Sequence, residues 1–143
     1  PERIILGLDP GTNVMGYGLI TAAGSKYELL QFGVIHLKKY SGHELKLKKI
    51  FERVSSLINE YNPDHVALEA PFYGKNVQSA MKIGYVRGVA MLVASMNDIL
   101  CVEYSPREIK KAVVGRGSAS KEQVQYMIKN LLNLNKDKIY SKK

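Results

Sequence analysis

The sequence is short of thiols, of clustered histidines, of acidic residues and of long apolar runs, and each shortage closes off a class of function. Cys101 is the one cysteine, so no internal disulfide can form. Its place in the apolar run Ile99-Leu100-Cys101-Val102 marks a buried structural thiol rather than a nucleophile. His36, His43 and His65 are scattered and read as structural, and without a His/Cys cluster nothing points to zinc. No apolar run reaches the roughly 18 residues that a membrane-spanning helix needs. The opening, Pro1-Glu2-Arg3 and then Ile4-Ile5-Leu6, lacks the apolar length and the small-residue cleavage site of a signal peptide, so a cytoplasmic location is expected. Repeats, linkers and low-complexity blocks are absent, and 143 residues suit one domain, 1–143.

Against 21 Lys and Arg stand only 13 Asp and Glu, a formal net charge of +8. The excess is concentrated: residues 104–143 hold ten Lys and Arg against Glu108, Glu122 and Asp137, a net of +7. A polyanion is the natural partner, because each phosphate neutralised releases condensed counterions. A basic solvated surface has the same composition, so charge alone does not decide for nucleic acid.

Apolar patterning orders the elements. Residues 3–9 form an apolar run closed by Pro10-Gly11, a buried strand ending in Asp9. Strands over 16–21 and 27–37, joined by a turn containing Gly24, complete an antiparallel meander. Over 44–61, Leu45, Ile50, Phe51, Val54, Leu57, Ile58 and Tyr61 recur at helical spacing, and Asn62-Pro63-Asp64 stops the helix. His65-Val66-Ala67-Leu68-Glu69 is a second buried strand ending in a carboxylate ahead of a proline, Pro71. Residues 76–97 form a helix with Ala80, Gly84 and Gly88 on one stripe, which fits either close packing on the protein's own sheet or a subunit interface. A strand over 98–103 follows, then helices opened by Ser105-Pro106 and by Ser120 with Gln123. The order predicts an α/β fold with a mixed sheet and helices to cover it.

The chemistry comes from the repeated strand-end acid. If the first and fourth strands are parallel neighbours, Asp9 and Glu69 converge where open α/β sheets place their ligands. Carboxylates directly after Leu6-Gly7-Leu8 and Val66-Ala67-Leu68 are expected to be partly desolvated, a cost that a divalent cation offsets. Oxygen-only ligands suit magnesium, with manganese as a substitute. Paired ions of this kind drive in-line phosphodiester hydrolysis. Either acid alone reads more readily as a solvated or capping residue, and it is the pairing that points to a metal.

Four ordered stretches resemble the RuvC family of Holliday junction resolvases. They are Ile5-Leu6-Gly7-Leu8-Asp9-Pro10-Gly11-Thr12 with Gly16-Tyr17-Gly18; Leu68-Glu69-Ala70-Pro71-Phe72-Tyr73-Gly74-Lys75-Asn76; Ser79-Ala80-Met81-Lys82-Ile83-Gly84 with Arg87-Gly88; and Ala112-Val113-Val114-Gly115-Arg116-Gly117-Ser118-Ala119 with Lys121 and Gln123. The likeness covers residues 3 to about 134. It implies a ribonuclease H-like fold, a mixed five-stranded sheet with helices on both faces, and a homodimer built partly on helix 76–97. The implied function is symmetric, magnesium-dependent endonuclease cleavage of four-way DNA junctions in recombination and repair, with a branch-migration helicase complex as partner. Asp9 and Glu69 are implied as catalytic metal ligands. Phe72, with Tyr73, is implied to stack on a base where the junction opens, although its loop fits a core plug as well. Lys110, Arg116 and Lys121 are implied to contact DNA phosphate, and Lys82 and Arg87 either join them or lie on a helix surface.

The resemblance also implies two further aspartates, three residues apart on a C-terminal helix. After Leu134 only Asp137 is acidic, and in its lysine-rich setting it reads as solvated. The expectation is therefore a nuclease domain lacking that helix, binding junctions with weak or no cleavage. Alternatives are a non-cleaving junction-binding member, a ribonuclease H-like nuclease on other DNA or RNA, and an actin-like nucleotide-binding protein, whose first phosphate loop is similar to Gly7-Leu8-Asp9-Pro10-Gly11-Thr12. The last needs a second lobe and an adenosine motif, neither of which the sequence offers.

Overall fold

The computed structural model describes residues 2–23, 26–69 and 76–104. They form β1 (Arg3–Asp9), β2 (Val14–Ala23), β3 (Lys26–His36), α1 (His43–Tyr61), β4 (His65–Glu69), α2 (Val77–Met96) and β5 (Leu100–Tyr104). The sheet order is β3-β2-β1-β4-β5. The first three strands are the antiparallel meander, and β4 and β5 add to β1 in parallel. A parallel neighbour cannot be reached by a tight turn, so α1 and α2 are the crossovers that the β1–β4 and β4–β5 pairings require.

Both helices cover one face of the sheet. Leu6 and Leu8 of β1, Met15 and Leu19 of β2, and Val66 and Leu68 of β4 are buried there against Ile50, Val54, Leu57 and Ile58 of α1 and Val86, Ala90, Val93 and Ala94 of α2. Each larger side chain of this set contributes about 1.5–3 kcal/mol by leaving water. Tyr17 crosses the sheet beneath α1: its ring lies over Gly33, where a side chain would collide with it, and its hydroxyl accepts from Arg53 at 3.2 Å. The helices expected on the other face fall after Tyr104, outside the described residues.

The helix ends follow their signals. Asn62 adopts the left-handed conformation (φ 48°) and donates to Ile58 O at 2.8 Å, after which Pro63 cannot continue the helix. Asn76 caps α2, its Oδ1 accepting from Ser79 N–H at 3.1 Å.

Three expectations are corrected. Leu45 and Phe51 are exposed, because the buried stripe of α1 runs through Ile50, Val54, Leu57 and Ile58 and leaves both on the outer side. Strand β5 begins at Leu100, two residues late, because Asp98 has a positive φ of 55° in a turn whose N–H reaches Ser95 O. Among the described residues the small stripe of α2 does not pack on the sheet: a Cβ at Gly84 or Gly88 would meet none of them within 4 Å.

Candidate functional site

The register of β4 on β1 creates the site. Leu8 pairs with Leu68 in the parallel ladder, so Asp9 and Glu69 are the next residues on adjacent strands. Parallel strands lie about 4.8 Å apart, and residues in register point to the same face. Because Leu8 and Leu68 point into the core, the two acids point to the opposite face. Gly7 and Ala67, two residues before them, share that face, as does Gly18 opposite Gly7, so a floor of small residues leads up to the carboxylates.

Two glycines shape the turn that carries Asp9. A Cβ on Gly11 would collide with the Val14 carbonyl oxygen, so the return into β2 needs a residue without a side chain. Gly16 lies opposite Asp9, and a Cβ there would sit 3.7 Å from Asp9 Cβ. With nothing projecting from Gly16, Asp9 is exposed, whereas Glu69 is half-buried. The expected partial desolvation thus holds for Glu69 and not for Asp9.

The pair suits a hard cation. Two like charges on adjoining strand ends repel, and an oxygen-seeking divalent ion removes that repulsion. Among the described residues no group of three or more His, Cys, Asp and Glu is gathered, so the donors present there are these two carboxylates, whose oxygens fit a hard divalent cation as part of a ligand set.

Other sequence-marked residues separate into three groups. Phe72, Tyr73, Lys110, Arg116, Lys121 and Asp137 lie outside the described residues. Lys82 is exposed on α2. Arg87 forms an ion pair with Glu103 of β5, its side chain 13% exposed, so it ties α2 to the sheet. Cys101 is half-buried beside it; burial pushes its thiol pKa up, and the Arg87 charge offsets part of that rise.

The sequence reading passed over Asp64, which holds the start of β1, and a polar cleft beside the turn that follows Asp9, lined by Asn13, His43, Lys46 and Lys82 among others. Asn62-Pro63-Asp64 carried only a helix-stop signal. Lys46 looks like any outward lysine until the fold brings α1 beside α2 and sets it in one cleft with Lys82.

Comparison with known proteins adds three findings. The family described as crossover junction endodeoxyribonuclease RuvC matches residues 5–141. Curated relatives with that name include those of Cytophaga hutchinsonii, 57% identical over 92% of this chain and 66% of the relative, and Bacteroides fragilis, 51% identical over 95% of this chain and 72% of the relative. The chain thus spans about two thirds of the length of such relatives. The solved structure of Thermus thermophilus RuvC in complex with Holliday junction substrate superposes with a TM-score of 0.88 at 27% identity, over 94% of this chain and 82% of that one.

Proposed function

The chain belongs to the RuvC family, and from that premise we propose that it is the nuclease domain of a structure-specific endonuclease that binds four-way DNA junctions and resolves them by symmetric phosphodiester hydrolysis. The observation that carries this reading is the side-by-side placement of Asp9 and Glu69 at the ends of β1 and β4. It accords with the substrate named for the Thermus thermophilus structure. Cleavage of this kind serves DNA recombination and repair.

Asp9 and Glu69 hold magnesium, with manganese as substitute, in this proposal. A cation bound by these two carboxylates would supply Lewis acidity toward the phosphoryl group and make water more acidic. Asp9, on the exposed side, is reached by a DNA strand without rearrangement of the core, and Glu69 is fixed by a strand buried on its other face. Phe72 and Tyr73 as base-stacking residues, and Lys110, Arg116 and Lys121 as phosphate contacts, enter on the family resemblance alone. So do a branch-migration helicase partner, a cytoplasmic setting and the reading of 1–143 as one domain.

Two cuts related by a two-fold axis call for two sites, and α2 supports a homodimer. Val77, Met81, Tyr85, Leu92 and Met96 are 70%, 52%, 50%, 53% and 62% exposed and share one stripe with Gly84 and Gly88. An apolar stripe of that length, with glycines that admit a close backbone, fits a second copy of the same helix.

The test is a gel shift with a four-way junction, a plain duplex and an RNA–DNA hybrid, with and without magnesium. Preference for the junction is expected. Equal binding to all three points instead to a nuclease with another substrate, and preference for the hybrid to an RNA-directed one.

A further inference from the structure

We propose that the cleft between the β1–β2 turn and the first turns of α1 and α2 is a phosphate site for the DNA strand that runs past Asp9 and Glu69. The proposal rests on the junction-nuclease reading and extends it to residues that the catalytic pair does not include.

The cleft has a volume of about 370 Å³ and is lined by Thr12, Ser41, His43, Lys46, Ser79 and Lys82, among others, with no acidic residue among the described residues that line it. The two ammonium groups at one hollow repel cations, and together with the hydroxyls of Thr12, Tyr40, Ser41 and Ser79 they match the non-bridging oxygens of a phosphodiester. Lys46 Nζ donates to Asn13 Oδ1 at 3.4 Å, a long bond that uses one of its three donors and keeps it at the turn. His43 is held against Tyr85, ring centroids 5.6 Å apart, and its Nε2 is buried without a hydrogen-bond partner among the described residues. A shielded ring nitrogen left unmatched in this way is costly in a finished site and is satisfied when a ligand enters.

The N-terminus of α1 is not the basis of the argument. Glu44 folds its carboxylate back over Gly42, and that charge already answers the helix dipole. The lysines, the hydroxyls and His43 carry the inference.

Position gives the cleft its use. Thr12 follows Asp9 by three residues, so the two lie at most about 11 Å apart along the chain. The carboxylates leave the sheet on the face opposite the helices, but at the rim that this turn shares, so a strand crossing the rim with its scissile phosphate at the carboxylates brings a nearby phosphate to Lys46 and Lys82. Contacts of this type orient a strand without reading its sequence.

The experiment compares the protein with its Lys46→Gln, Lys82→Gln double variant, since glutamine keeps a donor for Asn13 and removes the charge. Binding to a four-way junction and to a plain duplex is titrated with salt, and Lys48→Gln, an exposed position of α1 that does not line the cleft, is the control. The double variant should lower the slope of log K against log salt by about 1, the worth of one phosphate, with Lys48→Gln unchanged. Equal slopes for the double variant and the control overturn the proposal. A wild-type protein that binds duplex but not junction defeats the junction reading instead, and the duplex slopes still judge the cleft. Thermal protection by inorganic phosphate that disappears in the double variant while the DNA slopes stay equal assigns the cleft to a free anion and also overturns the strand assignment.

Discussion

Asp64 engages both backbone groups of Ile4: its Oδ2 accepts from the Ile4 N–H at 2.8 Å, and its own N–H donates to the Ile4 carbonyl at 2.8 Å. The residue after the helix stop thus clamps the start of β1 and sets the register that four residues later puts Leu68 beside Leu8, and Glu69 beside Asp9. In a parallel pair a slip of one residue would turn Glu69 toward the helices and break the site.

Asp64→Ala should therefore cost about 1 kcal/mol, near the low end for a hydrogen bond to a charged group because the contact is exposed. The midpoint of urea unfolding should fall without a change in slope, and Asp64→Asn should recover most of the loss. An unchanged midpoint in the alanine variant would remove Asp64 as the register clamp.

Asp9→Asn and Glu69→Gln should each abolish magnesium-dependent incision while junction binding persists. Loss of a carboxylate from a metal pair removes several kcal/mol of transition-state stabilisation, about 10³-fold or more in rate. Incision assays paired with gel shifts check this in the protein with its complete ligand set, and a variant that still cuts leaves the catalytic set.

Glycines 11 and 16 should respond differently to alanine. At Gly11 the added methyl meets the Val14 carbonyl, a backbone atom that cannot rotate away, so a cost of about 1–3 kcal/mol and reduced incision are expected. At Gly16 the nearest atom is Asp9 Cβ at 3.7 Å, ordinary contact, so thermal unfolding should be unchanged. Equal melting temperatures for both variants would contradict this reading of the turn.

Leu92→Glu, in the exposed stripe of α2, should convert a dimer to a monomer in sedimentation velocity and leave the circular dichroism spectrum intact. A wild-type protein that sediments as a monomer at the same concentration would remove the homodimer from the proposal.

Cys101 should react slowly with a disulfide reagent in the native state. Its thiol pKa is raised by burial, so at mildly alkaline pH the folded chain holds less of the reactive thiolate than the unfolded one. Between the unfolded and the folded pKa the native state binds more protons, so the thiol's contribution to stability is present below the unfolded value and is lost as pH rises toward the folded one. Arg87→Met should slow the reaction further by removing the nearby positive charge. A native rate equal to that in denaturant would contradict the shift.

Much of the scaffold was legible in the sequence because it rests on local signals. The boundaries of β1, β4 and α2 coincide with a Pro-Gly turn, with Asn-Pro-Asp and with Asn76 and Asn97 as caps. Orientation was less legible. Leu45 and Phe51 are apolar yet face solvent, and the Ala80-Gly84-Gly88 spacing is compatible with a sheet contact or an open face, since one helix can be apolar on two sides. Asp98 belongs to a turn because its backbone is left-handed, which an aspartate permits but does not announce.

What the sequence determined by itself is that two carboxylates end two buried strands, because an apolar run stopped by a turn residue leaves its last acid at the rim of a sheet. What only the tertiary structure decided is that those strands are neighbours, parallel and in register, and that Lys46, Lys82 and His43 share a cleft near them. The physical reason is distance along the chain: residues 60 apart meet through crossover helices and a backbone clamp at Asp64, interactions that no local pattern encodes.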